Sequence, residues 1–127
     1  MMDNRSDDLT REQSSTLSVI RQFNDAFYRQ DIEAVMALMA DDCVFENTNP
    51  APDGTRYHGR QAVRAAFLSF FESAPQAHFQ VEEIFAAGDR CVVRWLYHWS
   101  DDGHVRGVDL FRVREGRVWE KLSYVKG

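Results

Sequence analysis

The stretch that most constrains this chain is VRGVDLFRVREGRVWEKLSYVK, residues 105–126. Apolar and polar residues alternate on both sides of Arg114-Glu115-Gly116, with the two-residue period of a β-strand. The run therefore predicts two strands folded back on each other at that turn. Gly107, Asp109, Phe111 and Val113 fall on one face of the first strand, and Val108, Leu110 and Arg112 on the other. Asp109 breaks the pattern. A carboxylate among apolar neighbours is costly to bury unless it is paired or protonated, so its direction bears on any function the chain has.

A chain of 127 residues, 44% of them hydrophobic, can bury one sizeable core, which sets the expectation of one domain. The aromatic fraction of 13% suits either a dense core or the walls of an apolar cavity. Net charge is -5 and the cations are scattered, which speaks against a nucleic-acid surface or an anionic membrane as partner. Residues 1–9 are acidic and polar and read as a disordered tail without the apolar segment of a secretory leader, ahead of a domain over 10–127. No run approaches the roughly 20 apolar residues of a membrane-spanning helix. Cys43 and Cys91 fall in expected strands and read as buried reduced thiols of a cytoplasmic protein. His, Asp and Glu do not fall at metal-ligand spacings, so neither a metal nor another cofactor is expected.

Helical spacing of Leu17, Ile20, Phe23, Asn24, Phe27 and Tyr28 predicts a helix over 10–29. Asp31 is placed to cap a second, short helix with Ile32, Val35, Met36 and Met39 on its apolar face. A strand over 43–47, a proline-rich loop over 48–55 and a third helix over 60–73 follow. Strands are then expected over 78–87, 91–99, 105–113 and 118–125, with turns at Gly88-Asp89, Asp101-Asp102-Gly103 and Glu115-Gly116. Helices ahead of an antiparallel meander mean an α+β fold. Three N-terminal helices would pack on a strongly curved antiparallel sheet, making a cone with an internal cavity, the usual place for a small-molecule site.

The chain resembles the SnoaL-like, nuclear transport factor two-like superfamily. The resemblance rests on FYRQD at 27–31, MADDCVFEN at 39–47, TRYHGRQAVRAAF at 55–67 and GVDLFRVREGRVWE at 107–120. It implies a cystatin-like cone but does not fix an activity, because ketosteroid isomerases, polyketide cyclases, epoxide hydrolases, dehydratases and non-catalytic modules share the fold. The isomerases use an Asp base, a Tyr on the first helix and a protonated Asp on a late strand. Those positions hold Asn47, Phe23 and Asp109 here, so only the last group survives. The cyclase acid/base position on the last strand holds Ser123. The epoxide-hydrolase pattern keeps Arg94 but has Leu96 and Ser123 in place of its two Asp residues.

If Arg114-Glu115-Gly116 is a three-residue loop, Asp109 stands opposite Lys121 and Phe111 opposite Trp119. If the turn has two residues, Asp109 stands opposite Leu122 and Lys121 goes to the other face. The first is preferred because the resemblance places positions 109 and 123 together on the cavity side. It also places Arg94, Leu96 and His98 inward, leaving Trp95, Tyr97 and Trp99 outward as an apolar face suited to a homodimer. The implied cavity holds Asn47, Arg94, His98, Asp109, Lys121 and Ser123 among Phe23, Phe27, Phe111 and Trp119, with Tyr57 and His58 at its mouth.

These groups support three readings. In one, Asp109 and His98 transfer protons on an apolar, carbonyl-bearing molecule while Arg94, Lys121 or Asn47 stabilise an oxyanion. In another, the cavity binds a small hydrophobic carboxylate without chemistry, through Arg94 and Lys121. In the last, the domain only dimerises and its cavity is filled by its own side chains; Asp109 with a cation is then a structural ion pair, and Asn47 holds the following loop.

Overall fold

The computed structural model describes residues 4–100 and 103–127, with side chains from Thr10 onward. Helix α1 (Asn4–Tyr28) buries Thr16, Val19, Ile20, Phe23, Asn24 and Phe27, a stripe set by steps of three and four residues. The helix begins six residues before its expected start at Thr10, so residues 4–9 are helical rather than a tail, and residues 1–3 lie outside the described part. Gln30, with φ 59, turns the chain out of α1. Asp31 then caps α2 (Ile32–Ala37), accepting the Ala34 N–H at 3.1 Å.

Strand β1 (Met39–Glu46) starts earlier than expected, so Met39 is buried from a strand and not from the helix. A three-residue strand, β2 (Arg56–His58), pairs antiparallel with β1 and was not foreseen, because so short a polar segment carries no alternation. Helix α3 (Arg60–Ser73) follows, then β3 (His78–Ala87), β4 (Arg90–Ser100), β5 (Gly103–Arg114) and β6 (Arg117–Val125). The turn expected at Asp101-Asp102 falls outside the described residues. The sheet has six strands in the order β2-β1-β6-β5-β4-β3. It is mixed rather than wholly antiparallel, since β1 runs parallel to β6, and the third helix comes after β2. The α+β class holds, with Phe23 and Phe27 of α1 and Phe67 and Phe71 of α3 packing on Cys91, Val93, Phe111 and Val118 of the sheet.

The β5–β6 hairpin departs from both registers considered. Glu115 and Gly116 have φ 53 and 75, the two left-handed residues of a type I′ turn, and Arg114 stands opposite Arg117. That register alone would turn Lys121 away from Asp109. A bulge restores the phase: Val113 faces Val118, but Arg112 faces Glu120, so Trp119 is the extra residue. Beyond it Phe111 faces Lys121 and Asp109 faces Ser123. Asp109 and Lys121 thus share the inner face as diagonal neighbours. No helix among the described residues is long and apolar enough to cross a membrane.

Candidate functional site

On the inner face of β5 and β6, Ser123 Oγ donates to Asp109 Oδ1 at 2.7 Å, and Lys121 Nζ donates to Ser123 Oγ at 3.1 Å. Lys121 Nζ also lies 3.4 Å from Asp109 Oδ2, closing a triangle of carboxylate, hydroxyl and ammonium. Both charged residues are buried, Asp109 at 7% exposure and Lys121 at 5%. The ammonium completes its surroundings with phenyl faces, 4.8 Å from the Phe45 centroid and 5.1 Å from that of Phe27, with Phe67 and Phe111 slightly farther. The triangle is internally satisfied. Its charge sums to zero with the lysine protonated and the aspartate ionised.

Two other polar atoms on this side are buried and have no hydrogen-bond partner among the described residues: the Tyr28 hydroxyl and the Trp95 indole N–H. Both rings pack on Phe79, Tyr28 stacked at 5.0 Å and Trp95 edge-on at 5.8 Å. Burial, reinforced by the charge of Asp109, pushes the Tyr28 hydroxyl well above the usual tyrosine range, so it remains a donor at any ordinary pH. Trp95 lies over Gly107, where a Cβ would stand 2.3 Å from the indole. Phe70, Phe79, Tyr97 and Trp99 continue the aromatic surface outward, with Phe79 and Tyr97 centroids 4.7 Å apart and Tyr97 and Trp99 5.7 Å apart. Exposure rises along this row to 49% at Trp99.

The expected site residues separate into two groups. Phe23, Phe27, Phe111, Asp109, Lys121 and Ser123 do converge on the inner face. Tyr57 joins them at the margin, stacked on Phe45 at 6.0 Å. Arg94 and His98 do not. Val93 pairs with Asp109 and Trp95 with Gly107, so the odd positions of β4 face inward and the even ones outward, a one-residue difference that reverses every side chain. Arg94 spends its charge on Glu82 and Glu83 of β3 on the outer face. His98 sits outside between His78 and His104 of the neighbouring strands. By the same correction Trp95, Tyr97 and Trp99 are inner-face residues and cannot form an outer dimer face.

Asn47 holds the loop that follows it: its Oδ1 accepts the N–H of Asn49 at 3.2 Å and of Thr55 at 2.8 Å. Trp119, as the bulged residue, turns outward under the guanidinium groups of Arg112 and Arg114, at 5.0 and 5.2 Å. His58 is exposed on the strand opposite Val44. Sequence reasoning missed Tyr28 and Trp95 as site residues. The signal was available in β4, where Cys91, Val93, Trp95, Tyr97 and Trp99 form an uninterrupted apolar alternate set.

Two concavities lie off the triangle. One is bounded by Gln76, His78, His98, Trp99 and Ser100 beside the outer end of the aromatic row. The other lies at the sheet margin among Arg94, Arg106, Val108, Tyr124 and Lys126. Among the described residues no set of three or more His, Cys, Asp or Glu is arranged to hold a metal ion.

The architecture has many solved counterparts. An NTF2-like protein of unknown function from Mesorhizobium loti is 45% identical, with a TM-score of 0.82 over 91% of this chain and 94% of that one. RV0760c from Mycobacterium tuberculosis is 29% identical, with a TM-score of 0.71 over 88% and 91% of the two chains. A ketosteroid isomerase candidate from Kribbella flavida is 21% identical, with a TM-score of 0.77 over 91% and 81%, a likeness of fold. No functionally curated protein matches the chain significantly. The model of the SnoaL-like domain matches residues 20–121, from the buried face of α1 through the bulged strand that carries Lys121, and the chain belongs to that family.

Proposed function

We propose that the chain binds a small, largely apolar molecule bearing a carbonyl or carboxylate between its helices and its sheet, with Asp109 as the proton acceptor when that molecule is enolisable. The observation that carries this reading is the Asp109–Ser123–Lys121 triangle enclosed by phenyl rings. A charged pair in such surroundings stabilises a fold no better than well-packed apolar residues of the same volume, so its presence needs another reason. With His98 outside, Asp109 is the one of the two expected acid/base residues on the inner face, and Lys121 the cation able to stabilise an enolate. Fold neighbours named as candidates for ketosteroid isomerase and polyketide cyclase fit a cofactor-free proton transfer.

The test is an NMR experiment in D2O with a panel of apolar ketones. Saturation transfer reads binding, and loss of the α-proton signal reads proton transfer. Binding with exchange that disappears in Asp109→Asn supports the reading in full. Binding without exchange leaves a ligand-binding module, and no binding across the panel sinks the proposal.

A homodimer through the outer sheet face is part of the same reading, on residues other than those expected from sequence. Phe85, Leu110 and Tyr124 are 50%, 37% and 51% exposed on strands whose outward charges pair with one another, Arg94 and Arg106 with Glu82. An apolar strip with its charges already paired suits a two-fold copy of itself. Sedimentation velocity checks it: a dimer that Leu110→Asp converts to monomer is expected, and a wild-type monomer at micromolar concentration would refute it.

A further inference from the structure

We infer that Tyr28 and Trp95 form a two-donor subsite that selects a neutral carbonyl over a carboxylate in the bound molecule. The inference rests on the reading of the interior as a small-molecule site and narrows its ligand. The Tyr28 hydroxyl and the Trp95 N–H are buried donors with no acceptor among the described residues, and both side chains pack against the same ring, Phe79. An unmade hydrogen bond of this kind is costly to leave buried, so donors kept in this state call for an acceptor from outside the chain.

The charge balance decides which acceptor. Lys121 is the one buried cation among the described residues, and it is engaged by Asp109 and Ser123. Arg94, the other cation expected to meet an anion, lies on the outer face against Glu82 and Glu83. A ligand carboxylate would bring a second negative charge beside Asp109 with no free cation to meet it, and like charges at close range are strongly disfavoured. A ketone, ester or amide oxygen accepts two neutral donors at no such cost. The apolar body of the ligand then rests on Phe70, Phe79, Tyr97 and Trp99, with Phe79, on edge strand β3, the ring that rotates to admit it.

Three probes of nearly one shape test this: 2-acetylnaphthalene, 2-ethylnaphthalene and 2-naphthoate, titrated against the full chain by tryptophan fluorescence and calorimetry. The ketone is expected to bind at least tenfold more tightly than either of the others. Tyr28→Phe and Trp95→Phe should each reduce that preference several-fold, with the affinity for 2-ethylnaphthalene held within twofold. The bound ketone's carbonyl stretch should shift to lower frequency in the wild type and return toward its apolar-solvent value in the Tyr28→Phe/Trp95→Phe variant. Equal binding of ketone and hydrocarbon, tightest binding of the naphthoate, or a ketone preference that survives both substitutions overturns the subsite alone. Absence of binding by all three overturns the interior site and the subsite together.

Discussion

Asp109 and Lys121 meet at 3.4 Å although they are diagonal in the β5–β6 ladder, where Ser123 stands directly opposite the carboxylate. The ammonium reaches back across one residue pair, and Ser123 bridges the gap by donating to Asp109 and accepting from Lys121. Removing one member leaves the other's charge buried and unpaired, which costs about 3–5 kcal/mol, whereas removing both charges is nearly neutral. Lys121→Met should therefore lower the urea midpoint sharply, and Asp109→Asn added to it should recover most of the loss. If the double variant is no more stable than the single, the two residues are not coupled as the geometry requires.

Tyr28 makes the opposite prediction. Its buried hydroxyl lacks a partner, so Tyr28→Phe should leave the ligand-free protein as stable as the wild type or more stable, by up to roughly 1 kcal/mol. The same residue shapes the alkaline limb. Its folded-state pKa is raised by burial, so the folded state holds the phenol proton more tightly than the unfolded chain: nothing is lost below the unfolded value near 10, and stability falls as pH rises above that. Over that range the wild type should lose up to about 1.4 kcal/mol per pH unit more than Tyr28→Phe. Urea unfolding of both proteins between pH 8 and 11 checks the slope; parallel curves would show that the hydroxyl is not shielded.

The two thiols offer a probe of global opening. Burial pushes the Cys91 thiol up to about 11 and raises Cys43 in the same direction, although Arg21 and Arg60 respectively oppose the shift. Both side chains are essentially inaccessible. Because the thiolate is the reacting form, alkylation by iodoacetamide at pH 8 should be negligible in the folded protein and should appear in step with unfolding. Mass spectrometry along a urea series reads it. Labelling of Cys91 well below the unfolding midpoint would mean that β4 opens locally.

What was legible in the sequence follows from how each signal is encoded. The helices of α1 and α3 announce themselves because one apolar stripe must face a core, and Phe23, Phe27, Phe67 and Phe71 fulfil it. Asp109 was legible as an inner-face anomaly for the complementary reason, since a charge stands out in a period of two. The pairing of Asp109 with Lys121 was foreseen but through the wrong register. A two-residue turn plus a bulge at Trp119 is equivalent in phase to a three-residue loop, and nothing local distinguishes them. The reversal of β4 had another origin. Assigning Arg94 inward by family resemblance outweighed the strand's own alternation, although Cys91, Val93 and Trp95 formed the cleaner apolar face. The alternation of β4 did place Trp95 inward, but that its N–H and the Tyr28 hydroxyl lack acceptors was hidden, because an unpaired donor is a property of three-dimensional surroundings that no spacing encodes.

Gly107 links the fold to the proposed site and gives a prediction that separates them. It faces Trp95 across the β4–β5 ladder, and an added Cβ would lie 2.3 Å from the indole and 2.4 Å from the Tyr124 carbonyl oxygen. The carbonyl belongs to the neighbouring backbone and cannot step aside as a side-chain tip could. Gly107→Ala should therefore destabilise the protein by about 1–3 kcal/mol, the usual cost of overpacking, and displace the indole from its seat. The displacement changes the surroundings of Trp95, so near-ultraviolet circular dichroism should change even where the far-ultraviolet spectrum keeps its native shape. Binding of 2-acetylnaphthalene should fall more than that of 2-ethylnaphthalene, because only the ketone uses the displaced N–H. Unchanged stability with an unchanged near-ultraviolet spectrum would mean that the strands can separate enough to house the methyl group, and that Trp95 is not fixed by Gly107.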